Sequence, residues 1–139
     1  IIGTSGPDTI NGTTGADVIE TYQGDDWVFA DAGADSICLG LGNDYADGWT
    51  EDDYFSASGG SDTLLGFSEN DLAAGHDDSD YVCGESGNDT LYGGAGNDGC
   101  VNGGSGSDYV DGREGTDTCY DPEGGTYANC ETISSCSCF

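Results

Sequence analysis

Residues 84–92 read GESGNDTLY and residues 93–101 read GGAGNDGCV, two nine-residue segments that agree at their glycine, aspartate and apolar positions. The spacing extends in both directions, because an aspartate recurs at every ninth residue from Asp8 to Asp98. After one inserted residue near Asn102 the series resumes with two more aspartates. A period this regular predicts a repeat architecture. The ladder aspartates are Asp8, Asp17, Asp26, Asp35, Asp44, Asp53, Asp62, Asp71, Asp80, Asp89, Asp98, Asp108 and Asp117.

An apolar residue follows each ladder aspartate by two positions, although only 35% of the chain is hydrophobic. In most repeats a glycine precedes the aspartate by two positions, where it permits a turn with positive φ. Six turn residues and a three-residue strand with an apolar centre predict a β-solenoid, because side chains alternate across a strand. Two strands make one coil, and the two parallel sheets face each other. The predicted inward residues are Ile10, Ile19, Val28, Ile37, Ala46, Phe55, Leu64, Ala73, Val82, Leu91, Cys100, Val110 and Cys119.

The repeats at 84–92, 93–101 and 103–111 resemble the GGxGxDxUx nonapeptide of the repeats-in-toxin, or haemolysin-type, calcium-binding family. The resemblance covers about 85% of the chain, as expected of a solenoid built from one repeated unit. It implies an all-β fold, a right-handed parallel β-roll of about thirteen repeats over residues 3–120. Residues 121–139 are expected to form a short C-terminal cap stapled by disulfides.

The resemblance also implies Ca²⁺ as the ligand of the ladder aspartates, with each ion held between one turn and the turn two repeats further on. Calcium takes six to eight oxygen ligands, and glycine-rich turns offer backbone carbonyls beside the aspartate. The two rows of turns then offer about eleven sites. The alternative is that the aspartates only cap turns. That alternative leaves stacked carboxylates almost without Lys or Arg to neutralise them, and such stacking is repulsive.

Three repeats place Glu51, Glu69 and Asp78 where the turn glycine belongs. These side chains either distort or supplement the adjacent sites, or they simply face solvent. The sequence leaves both readings open.

Net charge and cysteine content indicate which partners and which cellular location to expect. The formal net charge of −27 argues against nucleic acid or an anionic membrane as a partner. Seven cysteines favour an oxidising, extracellular location, so we expect a processed, secreted protein. Zinc fits poorly, because His76 is the only histidine and no CxxC pair occurs. No apolar run is long enough to span a bilayer. No catalytic constellation is recognisable, so we do not expect an enzyme.

The cysteine spacing suggests a Cys119–Cys130 disulfide, with Cys100–Cys119 as the rival, since spacing alone does not fix connectivity. Cys38 and Cys83 lie five repeats apart on opposite sheets. We therefore expect that they do not pair with each other.

Aromatic side chains occupy many outward positions and could form a contact surface for protein or glycan, or act only as sheet formers.

The first repeat begins at Gly3, so the initial coil is expected to lack a cap and to recruit a second copy end to end. The leading hypothesis is an extracellular calcium-dependent structural protein that assembles into a filament or surface layer. The alternatives are a calcium-responsive module of a larger secreted enzyme or toxin, and an adhesin. The outward aromatics are Trp27, Phe29, Tyr45, Tyr54, Tyr81, Tyr92, Tyr109 and Tyr120, and the turns add Tyr22, Trp49 and Phe67.

Overall fold

The computed structural model describes residues 1–138 and contains two parallel β-sheets that face each other. The odd-numbered strands form an eight-stranded sheet in chain order, and the even-numbered strands form a seven-stranded sheet. One strand of each sheet makes a coil, so the chain completes about seven coils. The strands are β1 (Thr9–Asn11), β2 (Val18–Glu20), β3 (Trp27–Phe29), β4 (Ser36–Leu41), β5 (Tyr45–Asp47), β6 (Tyr54–Gly59), β7 (Thr63–Ser68), β8 (Leu72–Asp77), β9 (Tyr81–Ser86), β10 (Thr90–Gly96), β11 (Cys100–Asn102), β12 (Tyr109–Gly115), β13 (Thr118–Tyr120), β14 (Thr126–Ala128) and β15 (Thr132–Ile133).

The strand register confirms two repeats per coil. Paired residues are 18 positions apart along most of the chain, as in Thr9 opposite Trp27. They are 19 apart across the inserted residue, as in Thr90 opposite Tyr109. The parallel β-solenoid expected from the repeat is therefore the observed fold.

The core is a narrow stack of inward side chains, nearly all of them fully buried. Ala30, Leu39 and Ala57, at the first position of their repeats, widen it in the N-terminal half. Because each repeat contributes so little apolar surface, hydrophobic burial alone stabilises this fold only modestly. The stability of the solenoid therefore depends on interactions in the turns.

The predicted inward position is wrong in one repeat. Val101, not Cys100, pairs with Val82 and joins the core. Cys100 pairs with Tyr81, which occupies an outward position. The extra residue is accommodated before Cys100 rather than near Asn102, and a one-residue shift reverses the face of every side chain that follows it in the strand.

Two positions in each turn commonly adopt the left-handed backbone region. The second residue of the repeat has positive φ in most repeats even when it is bulky, as in Tyr22 (φ 78°) and Trp49 (φ 77°). The fourth residue is usually glycine, for example Gly42 at φ 143°. A Cβ on Gly42 would lie 1.8 Å from the carbonyl oxygen of Gly24 in the preceding coil, so this glycine is required by close backbone approach.

The segment after residue 120 extends both sheets by one strand each, β14 and β15, and is then held by disulfides. The predicted Cys119–Cys130 bond is present, and the rival Cys100–Cys119 pairing is not. Cys136 bonds Cys100, and Cys138 bonds Cys83.

These last two bonds draw residues 136–138 back over the outer face of the eight-stranded sheet, a segment we call the C-terminal strap. The Asn102 side-chain amide also donates to the carbonyl of Cys136 at 2.9 Å. Cys38 is a free, exposed thiol and does not pair with Cys83, as expected. Among residues 1–138, no helix has the length and apolar character needed to cross a membrane.

Candidate metal-binding turns

The ladder aspartates form a continuous hydrogen-bonded series along each side of the solenoid. The backbone N–H of each aspartate donates to Oδ1 of the aspartate one coil further on, as from Asp44 to Asp62 at 2.8 Å. The same bond recurs from Asp8 to Asp117 along both sides, at 2.7–3.0 Å. Each ladder carboxylate from Asp26 onward therefore contributes one oxygen to linking adjacent coils.

The second carboxylate oxygen is the unusual feature of the ladder. In every ladder aspartate from the second coil onward, Oδ2 is buried and has no hydrogen-bond partner among the described residues. A buried polar atom without a partner destabilises a fold by about 1–3 kcal/mol, and more if it is charged. The orphaned oxygens belong to Asp26, Asp35, Asp44, Asp53, Asp62, Asp71, Asp80, Asp89, Asp98, Asp108 and Asp117.

The raised pKa values of the ladder aspartates also indicate that these carboxylates are unfavourable when charged. Burial raises the pKa of Asp62 to about 8, and the carboxylates of Asp80 and Asp44, one coil away on either side, add to the rise. The same cause raises the pKa of Asp71 to about 8. The pKa is raised to about 7 at Asp53, Asp80 and Asp89, and to about 6 at Asp44 and Asp98. Without a cation, the ionised form of these buried carboxylates is unfavourable.

Glycines keep open the space beside the free oxygens. A Cβ placed on Gly75 would lie 2.1 Å from Oδ2 of Asp80, and one on Gly84 would lie 2.0 Å from Oδ2 of Asp89. Among residues 1–138, no three carboxylate, imidazole or thiol groups converge closely enough to hold a metal by themselves. An ion in these turns therefore needs backbone carbonyls as well as carboxylates, which is the donor set that Ca²⁺ accepts.

The aspartates at the two ends of the ladder have hydrogen-bond partners that the central ones lack. Oδ2 of Asp8 accepts the N–H of Thr4, and Oδ2 of Asp17 accepts that of Thr13, so these two carboxylates are satisfied within their own turns. At the other end the Glu131 carboxylate accepts the N–H of Asp117 at 2.9 Å. Glu131 thus takes the place of a further ladder aspartate, which the nonapeptide period did not predict.

Two of the three turns that depart from the glycine pattern are linked to a neighbouring coil through their glutamate side chains. The Glu51 carboxylate accepts the N–H of Gly33 at 2.9 Å, and the Glu69 carboxylate accepts that of Glu51 at 3.2 Å. Both glutamates and Asp78 adopt positive φ of 73–76°. Glu51 and Glu69 therefore link coils through exposed carboxylates, and Asp78 is exposed as well.

The repeat pattern did not reveal a second series of hydrogen bonds, at the position just before most ladder aspartates from Asp26 onward. The N–H of Asn70 donates to Oδ1 of Asp52 at 2.9 Å, and that of Asn88 donates to Oδ1 of Asn70 at 3.0 Å. The signal was visible as Asn, Asp, Ser and Thr recurring at this position. Such side chains commonly hydrogen-bond nearby backbone in turns.

His76 lies in β8 and Arg113 in β12, two interior strands of the seven-stranded sheet. His76 is exposed, and its Nε2 lies 3.1 Å from Oγ of Ser56. The Arg113 guanidinium sits 4.2 Å above the ring of Tyr92. The single basic side chain of the chain is therefore engaged on an outer surface.

This architecture defines a class of protein, a parallel β-solenoid whose turns present acidic oxygens to a cation. A family model described as the RTX calcium-binding nonapeptide repeat matches four times, at residues 2–37, 39–64, 65–100 and 101–120. The chain belongs to this family, and its repeats are calcium-binding repeats in a structural module. Comparison with curated proteins and with solved structures gave no significant match.

Proposed function

We propose that the ladder aspartates bind Ca²⁺ between successive coils and that this binding holds the solenoid together. The observation that carries the proposal is the row of buried Oδ2 atoms that have no hydrogen-bond partner in the described part of the chain. Each of the eleven intervals between ladder aspartates of successive coils contains one such oxygen, which supports about eleven ions. In this proposal residues 3–120 form the calcium-binding roll and residues 121–139 its cap.

The test is a count of bound calcium by native mass spectrometry on the full chain. We expect about eleven ions at saturation, one for each orphaned oxygen. Asp62→Asn should reduce the number of ions or the affinity at the flanking turns. A count unaffected by substitutions along the ladder would contradict the assignment of these aspartates as ligands.

We further propose an extracellular role as a rigid rod that folds after export. Three disulfides suit an oxidising compartment. Millimolar calcium outside cells suits weak, numerous sites of this kind. With the carboxylates neutralised by calcium, the stacked coils form a stiff scaffold and require no catalytic group.

End-to-end self-association is the assembly that we propose for this rod. In the described chain β1 pairs only with β3, and β15 pairs only with β13. Ile2 and Val18 near the first coil are 64% and 68% exposed, and Ile133 at the last coil is 63% exposed. Unpaired edges flanked by apolar side chains attract further strands.

Light scattering over a concentration series in calcium tests this assembly. We expect particle mass to rise with concentration and Ile133→Asp to suppress the rise. Leu72→Asp is the matched control, because Leu72 is 38% exposed and lies in β8, the middle strand of the seven-stranded sheet. A monomer at every concentration, or equal effects of the two variants, would exclude end-to-end contact.

A further inference from the structure

A small groove lies on the outer face of the eight-stranded sheet, in its N-terminal half, and we call it the aromatic groove. It has a volume of about 260 Å³ and lies between two columns of side chains. One column comes from the strands β1, β3 and β5, and the other from the turns that follow β3 and β5. The groove is lined by Asn11, Gly12, Phe29, Asp31, Asp47 and Trp49.

Asp47 is the chemically distinctive residue of the groove. Its Oδ1 is buried and has no hydrogen-bond partner among residues 1–138, although Asp47 lies outside the ladder. Burial raises the pKa of this carboxyl. The strand needs no acid here, because the equivalent positions in the neighbouring coils are occupied by Phe29 and Leu65. A buried carboxylate at an outward strand position is therefore a cost that folding does not explain.

Aromatic rings surround this carboxylate and continue beyond the groove. Trp49 is 54% exposed and lines one wall, and Phe29 lines the other. Tyr45 stacks on Trp27 with 5.0 Å between ring centroids and lies 5.8 Å from Phe29. The disulfides of the C-terminal strap lie further along this sheet, at β9 and β11.

The lining discriminates between candidate ligands. A calcium ion needs six to eight oxygens, whereas this groove offers two carboxylates, one amide and aromatic rings. An organic cation is attracted both to ring faces and to carboxylate. The charge of −27 concentrates cations at the surface and repels acidic ligands. A neutral sugar stacks on tryptophan but leaves the carboxylate charge uncompensated.

We propose that the aromatic groove is a docking site for an arginine side chain of a basic partner protein. Arginine fits better than lysine, because its planar guanidinium stacks on aromatic faces while it bonds to carboxylate. The volume suits one side chain rather than a whole metabolite, since small-molecule sites usually exceed about 300 Å³. The exposed Trp27 and the half-buried Tyr45 extend the contact, as aromatics do at protein interfaces. A second copy is not the partner, because its single basic side chain, Arg113, already lies over Tyr92.

Intrinsic fluorescence offers a direct readout, because Trp27 and Trp49 are the only tryptophans and both flank this surface. The full chain in millimolar calcium, at physiological ionic strength, is titrated with N-acetyl-arginine amide and with its neutral isostere N-acetyl-citrulline amide. We expect a saturable change with the arginine compound alone. Asp47→Asn should weaken binding by roughly tenfold or more, as for the loss of one charge-assisted hydrogen bond. Equal responses to the two compounds would overturn the proposal.

Asp77→Asn is the matched control for general attraction to an acidic surface, because Asp77 is an exposed carboxylate on the seven-stranded sheet. A loss of affinity as large as that of Asp47→Asn would mean that binding is diffuse. Peptides with one arginine in varied flanking sequence test the protein partner. Some should bind more tightly than N-acetyl-arginine amide, whereas uniform affinity would indicate a small free cation and contradict a docking surface.

The Asp47→Asn variant must also fold, and its melting temperature in calcium shows whether it does. We expect melting at the parent temperature or above, because the substitution removes an unpaired buried charge. A lower melting temperature would mean that Asp47 stabilises the fold itself, and that outcome also overturns the proposal.

Discussion

The backbone N–H of Asp62 donates a hydrogen bond of 2.9 Å to Oδ1 of Asp80, while Oδ2 of Asp80 is buried and has no partner within residues 1–138. One carboxylate therefore links two coils through one oxygen and presents the other to a cation. The linkage needs only an acceptor at Oδ1, whereas the charge is needed only if a cation binds. The two roles can be separated by substitution.

Asp80→Asn should have opposite effects with and without calcium. Asparagine keeps an acceptor for the N–H of Asp62 but removes the buried charge, so the calcium-free fold should gain about 1 kcal/mol or more. In calcium the same variant should lose affinity and stability, because a ligand has lost its charge. Denaturant unfolding measures the change in calcium. In chelator the change is measured as the pH at which the circular dichroism β signal is lost, because the calcium-free chain is expected to be disordered at neutral pH. Changes of the same sign in the two conditions would contradict the ladder's role.

Asp77→Asn is the appropriate control for that experiment. Asp77 is exposed and lies outside the ladder, so we expect a change within about 0.5 kcal/mol in both conditions. The spacing of acids alone would make Asp47 an equally neutral control. Its buried Oδ1 makes it unsuitable for that purpose.

The calcium-free fold should lose stability as pH rises. The carboxyl of Asp62 ionises near 3.8 when unfolded, whereas burial raises its folded pKa to about 8. The folded state therefore binds more protons between these values, and stability falls as pH increases through this window. Circular dichroism of calcium-free protein at about pH 4 and at about pH 8 checks the sign. Calcium affinity should move the other way, because binding requires the ionised carboxylate. A calcium-free fold that becomes more stable toward pH 8 would contradict the burial of these carboxyls.

Tyr22 occupies a left-handed position at φ 78°, which disfavours any residue with a Cβ. Tyr22→Gly should raise the free energy of unfolding by about 1 kcal/mol, because glycine adopts this conformation without strain. Tyr54→Gly is the control, since Tyr54 is similarly exposed but lies in strand β6. It should destabilise the protein, because glycine weakens a strand. Denaturant unfolding in calcium compares the two, and the same sign for both would refute the strain argument.

The Cys119–Cys130 bond closes a loop with a sequence separation of 11 at the last coil. Replacing both cysteines by serine should lower stability by about 2–3 kcal/mol, on the chain-entropy estimate for a short loop. Cys38→Ser should have little effect, because Cys38 is exposed and unpaired. Thermal melting of the three proteins in calcium decides the point. An unchanged melting temperature in the double variant would show that the bond does not stabilise the cap.

The period predicted the sheets, the inward positions and the ladder, because each follows from side-chain alternation and fixed spacing. It failed at Val101, since an inserted residue can be absorbed on either side of the inward position and spacing does not say which. The period did not predict the disulfide partners of Cys136 and Cys138, because these cysteines lie in nonrepeating sequence, where spacing leaves the pairing open. Glu131 and Asp47 were also missed, since their roles depend on neighbours one coil away rather than on local pattern.

The central claim is that calcium between the coils completes the fold, and a calcium titration followed by far-ultraviolet circular dichroism tests it most directly. Starting from calcium-free protein at neutral pH, we predict a cooperative change from disordered to β-structure with a midpoint at roughly 10⁻⁴ to 10⁻³ M calcium. Asp80→Asn should shift the midpoint upward, and Asp77→Asn should leave it unchanged. A full β signal in excess chelator, unaltered by added calcium, would contradict the account.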